Sequence, residues 1–264
     1  MKRRTLDSAK AGDFIGALGI LEPQENSISV TDCGDGSVIL NGEINSVLNG
    51  LICDRLLIWD VNNRQDAFLV HASERGIEFG PRTQTMGVHG CVFSGVRMKE
   101  VHVRKEHHIQ ITGENSCIGS SIDLCLAAAS SGMLARLFSE IREDAGKQQR
   151  KGKLKMADQH VRYKIAEILT QAQATEYLLY RALWMRSTKN PDAPVLAKTA
   201  KAFCAETAES AASAVLQLAG PYGYKADSIY ERMARDAAFL SMAGTPTADA
   251  RTDIADALLA RCQD

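Results

Sequence analysis

The residues in this chain that could carry chemistry are few and local. In "RDAAFLSMAGTPTADARTDIADALL", residues 235–259, a Gly-Thr pair at 244–245 follows an apolar run and opens a further helix. Loops of this build often feed a reactive group into a site, yet the residues in that position are Met242 and Ala243. Neither is an acid, a base or a nucleophile, so the loop carries no group able to move a proton or attack a carbon. In "KQQRKGKLK", residues 147–155, five basic side chains stand close together, and Arg150 and Lys151 could meet a phosphate as point charges. A solvated turn between helices would read the same way. His107 and His108, with His102 upstream, are neighbours on an extended segment and so point to opposite faces, which argues against a shared metal ion. The glycines of "GDFIGALG", residues 12–19, have the wrong spacing for a dinucleotide loop and read as turn material.

The elements that must position these residues differ between the two halves of the chain. At 264 residues, 45% apolar and 24% charged, the composition predicts one large or two modest globular domains. Thirty-one basic against thirty-two acidic residues leave a net charge of −1, so no global field favours nucleic acid or an anionic membrane. The longest apolar stretch, "VLNGLICDRLLIWDV" at 47–61, is broken by Asp54 and Arg55 and falls short of the roughly 20 residues of a membrane helix. "MKRR" at the start has no apolar run behind it and does not read as a signal peptide. Seven scattered cysteines without a C-x-x-C pair predict neither zinc nor a redox dithiol, and fit a reducing cytoplasm.

Up to about residue 110 the chain is written in short pieces. "SISVTD" at 27–32 alternates Ile28 and Val30 against Ser29 and Thr31, and "VRMKEVHV" at 96–103 alternates around a break. With turn signals at "CGDG" (33–36), "LNG" (40–42) and "VNNRQD" (61–66), residues 1–112 are expected to form an antiparallel β domain of about eight strands. From Ser120 onward the period becomes helical, through Ile122, Leu126, Ala129, Met133, Leu137 and Ile141, with Ser120 and Asp123 spaced as an N-cap pair. Further helices are expected at about 155–187, 193–219, 225–241 and 247–261, so that residues 113–264 make a helical bundle. The fold class is therefore α+β, an antiparallel β domain followed by a C-terminal four-helix-bundle domain. Met86, Met98, Met133 and Met156 read as core, and Cys125 as a small buried hydrophobe.

Order and local sequence together resemble the acyl-CoA dehydrogenase family. "LQLAGPYGY" at 216–224, followed by "ERMARDAAFLSMAGT" at 231–245, is similar to the family's Q-x-x-G-G-x-G-Y and E-R-x-x-R-D-A…Y-E-G-T, at the right separation. Upstream, "ILEP" (20–23), "LNGEINSVLNG" (40–50) and "MGVHGCVFSGVRMKEVHV" (86–103) resemble T-E-P, L-N-G-x-K-x-W-I-T-N and L-G-x-R-x-S. The likeness runs from about residue 15 to the end. It implies FAD held by the β domain and the bundle, an acyl thioester on coenzyme A or a carrier protein, and a glutamate that removes the α proton while the flavin takes the β hydrogen. It also implies a chain without the family's N-terminal helical domain. The expected assembly is at least a homodimer, built on the small residues of the helices near 193–219 and 225–241, and a full-length paralogue is a further possible partner.

Residue by residue, the resemblance implies a frame stripped of its reactive group. The glutamate of Y-E-G-T falls on Ala243, and Thr245 keeps its place. Some relatives carry the base early in the first bundle helix, where this chain offers Asp123 beside Cys125, so Asp123 is the candidate substitute base. The Thr of T-E-P is Leu21, and the Trp and Thr of W-I-T are Ser46 and Leu48, removing the side chains that address the flavin ring. The arginine that grips the cofactor diphosphate is replaced around Gln148 and Lys151, with Arg150 between them, and Pro221 stands for a glycine and has no N–H to offer. Gln217, Gly220 and Gly223 survive. The residual ligand set is thus Gln148, Arg150, Lys151, Gln217, Gly220, Gly223 and Thr245, with FAD expected to bind weakly or not at all.

Overall fold

In the computed structural model the described residues are 7–8, 10–21, 27–60, 66–110, 118–150 and 153–260. The chain divides into two compact units, Met1–Ser116 and Cys117–Asp264. In the first, eight strands join in one sheet: β1 (Gly16–Leu21), β2 (Ser27–Asp32), β3 (Val38–Leu48), β4 (Arg55–Asp60), β5 (Asp66–His71), β6 (Ile77–Phe79), β7 (Phe93–Val103) and β8 (His108–Gln110). The sheet order is β6-β7-β3-β1-β4-β5-β8, with β2 beside β3. β1 runs parallel to β4 over six residue pairs, so the sheet is mixed and not purely antiparallel. Two expected turns are strand: "GALG" opens β1, and "LNG" lies inside β3. Apolar neighbours explain both, since Leu40 and Ala17 face the core and pull their segments into the sheet. The third turn signal, at 61–65, lies outside the described residues.

The break expected in β7 is a bulge. Val96, Met98, Val101 and Val103 are buried, while Lys99 and Glu100 both face out. The register shifts there, three steps on β7 matching two on β3, and Glu100 takes φ 49° with its N–H donating to Asn41 Oδ1 at 2.7 Å. Gly76 supports the bulge: its φ is +93°, and a Cβ there would lie 2.0 Å from the Lys99 carbonyl oxygen, whose N–H donates back to Gly76 O. The core of this unit is Leu40, Ile44, Leu56, Ile58, Phe68, Met98 and Val101, all at most 2% exposed. Met86, expected in a core, is 61% exposed.

The second unit holds α1 (Ile118–Lys147), a short hairpin of β9 (Gln149–Arg150) and β10 (Lys153–Leu154), α2 (Gln159–Ser187), α3 (Ala193–Ala219), α4 (Ile229–Met242) and α5 (Thr247–Ala260). Asp158 caps α2, its carboxylate accepting from the His160 N–H at 2.9 Å, and Ser228 caps α4 in the same way. Ser120 is not a cap, because α1 is already helical at Ile118. α3 is the central helix. Ala197, Ala200, Ala205, Ala208, Ala212 and Val215 are fully buried along it, and their small size lets the neighbouring helices close around it. The alanines read from the sequence as an assembly face are therefore spent inside the bundle. α1 is long and apolar enough to cross a membrane, but Leu134, Leu137 and Ile141 are fully buried in the same cluster as Ala208 and Ala212. Cys125 is exposed on α1, because it falls between the buried positions Leu124 and Ala127.

Candidate functional site

Two places at opposite ends of α3 gather the predicted residues. The first is the loop at the C-terminus of α4. Ala243 caps that helix, its N–H donating to Phe239 O at 2.8 Å, while Met242 is 65% exposed. Gly244 follows with φ +65°, and a Cβ on it would meet Leu126 Cδ1 at 2.8 Å and Asp123 Oδ1 at 3.9 Å. The loop is thus laid directly on α1, and only glycine fits the turn.

Beneath it sits Lys201 of α3, fully buried. Its Nζ donates to Ser241 O at 3.1 Å and to Thr245 O at 2.5 Å, one carbonyl on each side of the Met242–Gly244 turn. The first acceptor belongs to the last turn of α4, where carbonyls lack intrahelical partners and a cation is favoured. Asp123, 1% exposed, completes the cluster, and its Oδ2 has no hydrogen-bond partner among the described residues. Burial pushes the Asp123 carboxyl above its usual range, against the pull of Lys198, Lys201 and the Thr245 side chain. Burial lowers the Lys201 ammonium in turn, opposed by Asp123 and Glu206. The other carboxylates around the loop are engaged: Asp253 pairs with Lys198, Glu206 with Arg251, and Glu209 accepts from Ser241 Oγ at 2.5 Å.

Lys201 went unread in the sequence, although the signal was there. It stands at a buried position of the period Ala197, Lys201, Cys204, Ala208, and a charge inside an apolar stripe must have buried partners. The structure joins Asp123 with Thr245 and keeps both apart from the remaining candidates. Between Lys201 and Gln217 α3 rises about 24 Å, at 1.5 Å per residue.

At that far end lies an open cleft of about 610 Å³, lined by Lys155, Asp158, His160, Lys164, Ser213 and Gln217 among others. Gln217 is exposed, and its carbonyl accepts from the Gly220 N–H where α3 ends. Gly220 has φ +65°, and Gly223 packs so close that a Cβ would lie 2.6 Å from Ala219 Cβ. Gln148 reaches the cleft only through Lys155, whose Nζ donates to Gln148 Oε1 at 3.4 Å. Its own amide donates to Asp144 Oδ2, which also accepts the Tyr230 hydroxyl at 2.6 Å, so Asp144 ties α1 to α4 and Gln148 supports it. Burial and the Asp144 hydrogen bond push the Tyr230 hydroxyl well above its usual range. The Arg150 side chain and Lys151 lie outside the described residues. His107 closes a 3₁₀ turn and does not lie on the extended segment expected for the pair, while His108 opens β8 with its Nε2 2.8 Å from Asp66 Oδ1; no group of three metal-ligating side chains occurs among the described residues.

The helical unit, with its long central helix and a glycine turn on the first helix, is the acyl-CoA dehydrogenase bundle. The profile described as "Acyl-CoA dehydrogenase, C-terminal domain" matches residues 124–259, and the chain belongs to this family. It is 28% identical over 221 residues to the caffeyl-CoA reductase-Etf complex subunit CarC of Acetobacterium woodii, covering 80% of this chain and 58% of that protein. It is 26% identical over 253 residues to the short-chain specific acyl-CoA dehydrogenase of Clostridium acetobutylicum, covering 89% and 66%. Butyryl-CoA dehydrogenase from Megasphaera elsdenii has the same fold, with a TM-score of 0.89 at 23% identity, over 98% of this chain and 71% of that one. The chain thus spans 58–66% of the length of the two curated relatives.

Proposed function

We propose that this chain binds an acyl thioester, carried on coenzyme A or on a carrier protein, and does not dehydrogenate it unaided. One observation carries the reading. The loop in which the family resemblance places the catalytic glutamate is fully built, fastened from beneath by Lys201, and presents Met242 and Ala243. Removing an α proton takes a base within hydrogen-bond reach, and a positioned one contributes typically about 10²- to 10⁴-fold. Asp123 is buried under the glycine of that loop and in this reading is a positioning residue for Thr245 and Lys201, not the base.

FAD, when bound, would supply hydride acceptance. The Gln217 cleft fits the diphosphate end of such a group, since Lys155, His160, Lys164 and Gln217 offer donors and its carboxylate, Asp158, is turned to the α2 N-terminus. On β3 the positions that the resemblance assigns to the flavin ring hold Ser46 and Leu48, and Leu48, 38% exposed, brings no side-chain donor. Weak cofactor binding by the isolated chain follows. Titration calorimetry with butyryl-CoA tests the thioester reading: saturable binding without product is expected, and no binding across short, long and aromatic acyl-CoAs would contradict it.

A subunit role is a second reading, favoured by α2. Leu169, Tyr177, Tyr180 and Trp184 recur along one face of it, the last three 57–72% exposed, an aromatic stripe that single proteins seldom leave in water. The expected particle is at least a dimer by light scattering, with Tyr177→Ser and Trp184→Ser together shifting it toward monomer. A monomeric parent at micromolar concentration would remove this support.

A further inference from the structure

The first unit contains a basic cleft that nothing in the thioester reading uses. It measures about 320 Å³ and is formed where the start of β4, the end of β5 and the end of β7 meet a 3₁₀ turn at Lys105–His107. Arg55, His71, His102, Arg104 and His107 surround it, Glu74 is its one carboxylate, and Leu69, Val70 and Val103 form an apolar floor. Among the described residues neither arginine is paired with a carboxylate. Arg55 lies over the Phe14 ring at 5.5 Å, and Arg104 is exposed at the strand end. Within β7, Arg97 is instead matched to Glu43 at 2.5 Å, whereas Arg104, one residue past the strand's end, has no carboxylate partner among the described residues.

We propose that this cleft binds a phosphate monoester, its dianion held by Arg55 and Arg104 and the body of the molecule resting on the Leu69–Val103 floor. Two arginines lining one space bring two positive charges, which suits a phosphate dianion better than a singly charged carboxylate or a metal cation, and the histidines add donors without a fixed charge. His107 is held below the usual imidazole range by burial and by Arg104, Arg55 and His71, with Glu106 opposing them. Asp35, near His102, is bound to the Ser37 hydroxyl and N–H and does not line the cleft. A bare phosphate leaves the apolar floor uncovered, which is why an ester with a flat or hydrocarbon body fits better than the free ion.

The test is titration of the full chain with inorganic phosphate and with AMP, following the histidine ring resonances by NMR at constant ionic strength. Saturable shifts of His71, His102 and His107 are expected with phosphate in the millimolar range, and tighter binding with AMP. Arg104→Gln, an exposed change that leaves the core untouched, should weaken both by at least about tenfold, the effect of losing one charge-assisted contact. Arg55→Gln should do the same. Should that variant fail to fold, Arg104→Gln decides alone. Shifts that stay linear and equal those produced by sodium chloride, or unchanged affinity in Arg104→Gln, would overturn the site. AMP binding no tighter than phosphate would overturn the role of the floor.

Discussion

The two ends of α3 differ in how their polar groups are used. At the Lys201 end the polar groups are buried and hold the loop: the ammonium bridges two carbonyls, and Asp123 lies beneath the glycine with its Oδ2 unpartnered among the described residues. At the Gln217 end the side chains face an open cleft and are held only by neighbours on its rim, as Lys164 is by Glu167 at 2.7 Å. One end specifies a shape, while the other leaves donors available to a ligand. On the proposed reading the fold keeps this loop without the glutamate that the resemblance implies, because Lys201 fastens the backbone on both sides of it.

Breaking the Lys201 anchor should have the largest effect. Lys201→Met removes both carbonyl contacts and one of the two cations acting on Asp123, leaving it Lys198 and the Thr245 side chain, at a cost of about 3–5 kcal/mol. The double variant with Asp123→Asn should be less damaged than the two single losses added, with a coupling of about 1–3 kcal/mol in urea unfolding. Additive losses would separate the two residues. Because burial raises the Asp123 carboxyl, its contribution is fully present below the unfolded value of 3.8 and is lost as pH rises through the folded one. Asp123→Asn should therefore gain stability relative to the parent as pH rises from that value toward neutral, and a flat difference would place the charge elsewhere.

Two glycines with the same φ sharpen the comparison at a smaller scale. Gly244→Ala meets both the left-handed backbone and Leu126 Cδ1 at 2.8 Å, whereas Gly220→Ala at φ +65° meets open space. The first should cost about 2–4 kcal/mol and the second about 1–2 kcal/mol. Equal losses would mean that the loop is not pressed onto α1. The smallest effect belongs to the cleft: Gln217→Ala should leave stability within about 0.5 kcal/mol and weaken ADP binding about three- to tenfold. A large stability loss there would make Gln217 part of the frame.

Much of this was legible in the sequence because it rests on period and spacing. α3 begins and ends where the apolar pattern and "NPDAP" placed it, and the β7 bulge appeared as a broken alternation. What could not be read were choices made by neighbours. Whether "LNG" turns or continues as strand depends on β7 beside it, and the parallel β1–β4 pair joins segments whose own patterns do not reveal it. Small residues on α3 look the same whether they pack inside the bundle or against a second copy. Lys201 was legible in principle, as a charge out of phase with its surface, but only the structure shows the two carbonyls it holds.

The central claim, a thioester-binding loop without its base, is tested most directly by turnover with and without a restored carboxylate. The purified chain, Ala243→Glu and Asp123→Asn are assayed with short, long and aromatic acyl-CoAs, excess FAD and an artificial electron acceptor. No reduction of the acceptor is predicted for the parent or for Ala243→Glu, because Ser46 and Leu48 still offer the flavin ring too little. Turnover by the parent that disappears in a folded Asp123→Asn variant would contradict the account and make Asp123 the base.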